Sequence, residues 1–295
     1  MCYEGILSAG GPWAAEFNPA VTPLLQVFGL GDQGMQPFDV RDYWNKRHAK
    51  SYGPESVGYI GMGEAYNRIA YDLNEYVFQR ALKQFGTDIQ DSSVLDIGSG
   101  TGFWLNNWNR AGVDKLVGSD LSVVATDHLK TKFPELEILT MDVSDQIPGN
   151  QANAFDIVSA FAVLYHIVDD QRYSKALSNI ASVLRPGGLL FLSENLIDGE
   201  EIRLQHIVHR SRQTIEGLLA QNGFAKVFER PMFVLMNSPV DSRSRLLHRI
   251  WGLVQRASRS RSQKLVLPIL FEIEKVLLGL VKKGPSTKFL VYRKE

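Results

Sequence analysis

The chain has 295 residues and no net charge, 32 Lys and Arg balancing 32 Asp and Glu, with 44% apolar residues. That length allows one large domain or a domain with a sizeable insertion, and the balanced charge gives no global field favouring nucleic acid. The single cysteine, Cys2, excludes an internal disulfide and a cysteine-built zinc site, and fits a reducing cytoplasm.

Residues 1–36 carry Glu4, Glu16 and Asp32, no Lys or Arg, and none of the compact apolar run of a signal peptide. A flexible extension is expected there, with Met35 opening the first well-patterned segment. Residues 37–90 read as a helical cap. A helix around Asp39–Lys50 is followed by a Gly-rich bridge, Gly53–Gly63. A long helix then runs over Glu64–Phe85, where Tyr66, Ile69, Leu73, Val77 and Ala81 recur at three- and four-residue steps, and Gly86 stops it.

After Asp91 strands and helices alternate. Strand Ser93–Ile97 leads to helix Gly102–Ala111, strand Lys115–Leu121 to helix Ser122–Phe133, and strand Glu137–Val143 to strand Phe155–Val163. Helix Asp169–Leu184 follows, then the turn Arg185-Pro186-Gly187-Gly188 and strand Leu189–Leu196. Such alternation predicts right-handed crossovers and a mainly parallel sheet. The tail adds helix Ser211–Asn222, a strand near Lys226–Leu235, a helical insertion over Asp241–Lys283 and a last strand, Thr287–Arg293. The expected units are therefore a core over 91–240, an insertion over 241–284, and a closing strand of the core over 285–295. The most apolar window, Leu265–Val281, is broken by Pro268, Glu272, Glu274 and Lys275 and is too short to span a bilayer comfortably. No integral membrane segment is expected, and peripheral contact stays open.

A strand running into Asp96-Ile97-Gly98-Ser99-Gly100-Thr101-Gly102 and then a helix is a cofactor device. Glycines let a ligand approach the backbone, and the helix start offers free N–H groups. A dinucleotide fingerprint needs G-x-G-x-x-G, and Phe103 stands where its third glycine belongs; a phosphate loop needs Gly-Lys-Ser/Thr, and none follows. The turn resembles motif I of the class I methyltransferases that use S-adenosylmethionine (SAM), an acidic residue followed by G-x-G-x-G. Val117-Gly118-Ser119-Asp120, Met141-Asp142-Val143, the strand Phe155–Phe161 and Leu184-Arg185-Pro186-Gly187-Gly188 fit the same family in order. The resemblance implies an α/β, Rossmann-like, doubly wound seven-stranded sheet, mainly parallel, with an N-terminal helical cap and a helical insertion before the last strand. It also implies SAM as cofactor. Gly98, Ser99, Gly100 and Gly102 would wrap its amino-acid part, and Asp96 would meet its ammonium group directly or through water. Asp120 would grip the ribose hydroxyls and Leu121 would pack on the adenine. Asp142, Val143 and Phe161 would complete the cofactor site.

Methyl transfer from a sulfonium needs alignment and exclusion of water, and a base only for some acceptors. His166, just past the fourth strand, is the candidate base; the competing reading packs it structurally under the cofactor. Asp169 and Asp170 read as helix caps rather than bases. Tyr43 and Trp44, in a Y-W-x-x-R pattern like that of cap helices over SAM, are candidate substrate contacts alongside Tyr165 and Asn195. Core packing is the alternative for the aromatics. His206 and His209 lack a carboxylate third ligand, so no metal site is expected. The insertion has a basic first half and an apolar second half, and reads as a lid over the substrate end of the sheet or as a basic amphipathic surface. The expected reaction is methylation of an oxygen, nitrogen or carbon of a small, apolar metabolite. A peptide or protein methyltransferase and a non-catalytic SAM-binding module are the alternatives.

Overall fold

The computed structural model describes residues 39–59, 61–85, 89–145, 147 and 152–295. The expectations for residues 1–36, Cys2 and the stop at Gly86 lie outside the described residues.

Helix α1 (Val40–Lys50) starts at Asp39, whose carboxylate accepts the N–H groups of Arg41 and Asp42. Four-residue helix α2 (Pro54–Val57) interrupts the glycine bridge, and α3 (Gly63–Phe85) is the long amphipathic helix, burying Tyr66, Ala70, Leu73 and Val77 on one face. The core alternates β1 (Ser93–Ile97), α4 (Phe103–Ala111), β2 (Lys115–Asp120), α5 (Val123–Lys132), β3 (Glu137–Thr140), β4 (Phe155–Phe161), α6 (Asp170–Val183) and β5 (Leu184–Glu194). A two-residue hairpin follows, β6 (Ile202–Arg203) and β7 (Val208–His209). Then come α7 (Arg212–Gln221), β8 (Phe224–Pro231), α8 (Arg245–Ser258), α9 (Gln263–Leu280) and β9 (Lys288–Lys294).

Seven strands form one sheet in the order β3-β2-β1-β4-β5-β9-β8. The pairs from β3 through β5 are parallel, and β9 lies antiparallel between β5 and β8. The strand order reverses between β1 and β4, and ligands of such sheets bind beyond the strand ends at that point. One face of the sheet packs an aromatic-rich cluster, including Phe78, Trp104, Trp108, Phe191 and Phe289, against α3, α4 and α9. The other face is covered by α6 and α7 through Tyr173, Leu177, Ile180, Ile215 and Leu219. The doubly wound, mainly parallel architecture implied by the resemblance is the one observed.

Boundaries differ where side chains capture backbone. β3 stops at Thr140 rather than Val143, because the Asp142 carboxylate accepts the Ser144 N–H and turns the chain out of the sheet. The Pro-Gly turn lies inside β5: Leu184 pairs with Phe155, the register shifts, and pairing resumes at Leu189 and Ile157. β8 ends at Pro231, which has no N–H for the ladder, not at Leu235. Just beyond, the N–H groups of Val234, Leu235 and Met236 all donate to the buried Glu274 carboxylate of α9. The β6–β7 hairpin is too short to leave a periodic pattern.

Candidate functional site

A cleft of about 310 Å³ opens beyond the carboxyl ends of β1, β2 and β4. The turn residues Gly98 to Thr101 form its floor, and Gly98, Gly100 and Gly102 adopt φ +69°, +53° and +81°. At Gly98 a Cβ would stand 2.3 Å from Cγ2 of Val163, so both the dihedral and the close approach require glycine. Gly102 is the N-cap of α4, whose first N–H groups have no side-chain acceptor.

Asp120 ends β2 at the cleft wall. Its Oδ2 accepts the Gly100 N–H at 2.9 Å and its Oδ1 the Ser122 N–H at 2.8 Å, while burial raises its pKa. Leu121, Asp142, Val143, Ser99 and Phe161 share the lining with Gly98, Gly100 and Asp120, so these sequence candidates converge on one cavity. Arg172, one turn into α6, donates to Oδ2 of Asp142 at 2.8 Å. Phe161 stacks on Trp104 at 4.0 Å between ring centroids.

Asp96 and Gly102 are not on that wall. Asp96 is fully buried behind the turn: Ser99 donates to its Oδ2 at 2.8 Å and Ser159 to its Oδ1 at 2.5 Å. Burial raises its pKa to about 7, against the pull of those two hydroxyls. In this arrangement Asp96 braces the turn from inside.

The cap closes over the turn. Tyr52 donates to the Gly100 carbonyl at 2.9 Å and stacks on His128, and Ser122 donates to Asn45 of α1 at 2.8 Å. Arg47 donates to the Gly58 carbonyl at 2.8 Å, tying α1 to the bridge after α2. Trp44 lines the cleft and meets His166 edge-on at 5.1 Å. Tyr43 lies outside the lining, against His206 and bonded by Arg47.

His166 is buried and lines the cleft. Its Nδ1 is 2.9 Å from the His206 carbonyl. A carbonyl only accepts, so Nδ1 carries the proton and Nε2 a lone pair. That Nε2 is buried with no partner among the described residues, and burial lowers the ring's pKa to about 3. Two more buried atoms of lining residues lack partners among the described residues, Asn74 Oδ1 and His48 Nδ1. Tyr165 sits behind His166 rather than in the cleft, and Asn195 stands one hydrogen bond back, accepting from the lining residue Thr287 at 2.8 Å.

Several lining residues were not singled out from sequence. Asn74 sits seven residues after the lining Asn67 on the buried face of α3, a polar interruption of an apolar stripe that could have flagged it. Thr287, Ser193 and Met232 carry no local signal. Among the described residues no group of three or more His, Cys, Asp or Glu is placed to hold a metal, and no helix is long and apolar enough to cross a membrane.

Residues 69–229, just over half of the chain, match the family described as a methyltransferase domain. A tRNA U34 carboxymethyltransferase of Campylobacter hominis is 34% identical over 125 residues, 41% of this chain and 41% of that protein. The mRNA cap guanine-N(7) methyltransferase of Schizosaccharomyces pombe is 24% identical over 149 residues, 46% of this chain and 40% of that protein. The chain thus spans about two fifths of the length of these curated relatives. Among solved structures, magnesium protoporphyrin IX methyltransferase from Synechocystis PCC 6803 with bound SAM shares the fold. Its TM-score is 0.52 at 17% identity, over 87% of this chain and 95% of that one.

Proposed function

Because the chain belongs to the class I family of SAM-dependent methyltransferases, we propose that it methylates an oxygen, nitrogen or carbon of a small, largely apolar metabolite. The residues present fit the cofactor: the cleft floor is the bare backbone of Gly98 and Gly100, and Asp120 ends β2 beside it. Asp120, Leu121, Asp142 and Val143 would hold the nucleoside end and the glycine turn the amino-acid end. When bound, SAM supplies a methyl group already activated on a sulfonium.

The observation that carries the acceptor reading is the set of buried atoms without partners among the described residues in an apolar, aromatic wall. His166 Nε2 can only accept a hydrogen bond, and Asn74 Oδ1 is also an acceptor. Buried acceptors left unpaired are costly, and an acceptor molecule bearing O–H or N–H would satisfy them. His166 orients that donor. A pKa of about 3 keeps the ring neutral, and protonating it at pH 7 costs several kcal/mol, which favours aiming the nucleophile over carrying its proton. Trp44 and the cap exclude water from the reacting atoms. Tyr43, Tyr165 and Asn195 act behind this wall by positioning Trp44, His166 and Thr287.

The activities of the relatives on mRNA caps and tRNA raise RNA as a second reading. Against it, the one Lys or Arg among the described lining residues is Arg172, already tied to Asp142 and Asp145, whereas a nucleic-acid site needs free cations for phosphates. The chain incubated with methyl-labelled SAM, an organic extract of cells and bulk RNA should place label in small organic-soluble products. Label in RNA or protein refutes the small-molecule reading. SAM binding without any transferred label refutes catalysis. His166→Ala should lower kcat by roughly 10- to 100-fold and leave SAM affinity unchanged.

A further inference from the structure

The insertion turns apolar side chains outward. On α9, Leu265, Ile269, Ile273, Val276 and Leu280 are spaced by four, four, three and four residues, so they share one face, and they are 44–74% exposed. The opposite face buries Leu267, Glu274 and Leu278 against the body. On α8, Leu246 and Leu253 are 66% and 59% exposed, whereas Trp251 and Val254 are buried. A helix apolar on both its inner and outer faces is one that has a second apolar neighbour.

Charge identifies that neighbour. The whole chain is neutral, yet residues 241–283 hold ten Lys or Arg against three Asp or Glu. Of those acids, Glu274 is buried under the Val234–Met236 amides, Asp241 is paired with Lys288, and Glu272, exposed on α9, is paired with Lys275. Arg245, Arg249 and Arg256 are exposed along α8, and Lys264 and Lys282 flank the apolar face of α9. We propose that α8 and α9 form a peripheral membrane-docking surface that takes an anionic bilayer, the aliphatic stripe entering the acyl boundary and the arginines meeting lipid phosphates.

The alternatives fit the same surface less well. A second copy would bring like charge against like across a two-fold axis. Single-stranded RNA is held by stacking on aromatic rings, and the exposed large apolar residues here are all Leu, Ile and Val. The surface also has a use: α9 packs on α3, whose Asn67, Ala70, Tyr71 and Asn74 line the cleft. Docking would present the acceptor end of the cavity to apolar molecules dissolved in the bilayer.

Flotation of the full chain with vesicles tests this. The protein should float with phosphatidylcholine vesicles containing phosphatidylglycerol and remain below with phosphatidylcholine alone. Added salt should weaken the binding. Ile269→Glu with Val276→Glu, and separately the triple Arg245→Glu, Arg249→Glu, Arg256→Glu, should each lower the partition coefficient at least roughly tenfold. These positions are exposed, and unchanged SAM affinity in the variants certifies their fold. Failure of the full chain to float with anionic vesicles overturns the proposal. So does a dimer in solution that the Ile269→Glu, Val276→Glu variant splits, RNA binding lost with the same arginines, or vesicle binding that appears only after residues 1–38 are removed.

Discussion

Replacing Gly98 with alanine separates the two reasons for glycine in the turn. The first is the dihedral, φ +69°; the second is the overlap of the new Cβ with Val163, at 2.3 Å from Cγ2 and 3.1 Å from Cγ1. Gly187 provides the internal control, since it has φ +79° and nothing within 4 Å of its missing Cβ. A left-handed alanine costs about 1–2 kcal/mol, less roughly 0.4–1 kcal/mol recovered from the stiffer unfolded chain. Gly187→Ala should therefore lose only about 1 kcal/mol. Gly98→Ala adds an overpacking cost of about 1–3 kcal/mol, because Val163 follows β4 and cannot retreat without moving the strand end, for a total of roughly 2–4 kcal/mol. Truncating Val163 to alanine in the Gly98→Ala background should recover the overlap part and leave the dihedral part. Urea unfolding of the two singles, the Val163→Ala single and the double completes a mutant cycle. Equal losses at Gly98 and Gly187, or no coupling between Gly98 and Val163, would falsify the close approach of the turn to Val163.

Asp120→Ala strips the acceptor from the Gly100 and Ser122 amides and should weaken SAM binding at least roughly tenfold by calorimetry; unchanged affinity would remove Asp120 from the site. Glu194 is buried, and that burial lifts its pKa to about 8 despite the nearby Arg210 charge. Its folded pKa lies above the unfolded value near 4.5, so the folded state holds the extra proton. Stability from this group is complete below pH 4.5 and is lost as pH rises toward 8, by up to roughly 1.4 kcal/mol per pH unit. Asp96, raised to about 7 by burial, acts in the same direction. His48 and His209, lowered to about 4, and His166, lowered to about 3, act oppositely, losing stability as pH falls below 6.5. Between pH 6.5 and 8 the histidines are silent and the carboxylates dominate. Unfolding midpoints should fall across that window in the parent chain and fall less steeply in Glu194→Gln; identical slopes would show that Glu194 titrates normally.

The alternation of strand and helix, and the acids placed at strand ends, were legible because they are local. A βα unit carries its glycine turn, its N-cap and its apolar strand within about a dozen residues, so Gly98 and Gly100 stood out by spacing, while Asp120 and Asp142 were picked out by the family resemblance at the ends of the next two strands. The ends of β3 and β8 were not legible, because Asp142 and Glu274 captured backbone groups that periodicity does not register.

Pairing register decided the rest. Asp96 faces Ser159 because those residues are partners across β1 and β4, so the carboxylate that the resemblance directed at the cofactor has one oxygen occupied from β4 and the other by Ser99 of the turn. His166 owes its bare Nε2 to a carbonyl forty residues away in the chain. Thr287 reaches the cleft only because β9 returns between β5 and β8. Ala162, one of two non-glycine residues with positive φ among those described, turns the chain into the cleft at φ +59° without any compositional sign. The sequence by itself determined that this chain builds a strand–glycine turn–helix unit resembling the family's first motif, because turn chemistry is written in adjacent residues. Which atoms face the acceptor, and which apolar faces remain outward, was decided by tertiary structure, because both depend on contacts between segments that spacing does not connect.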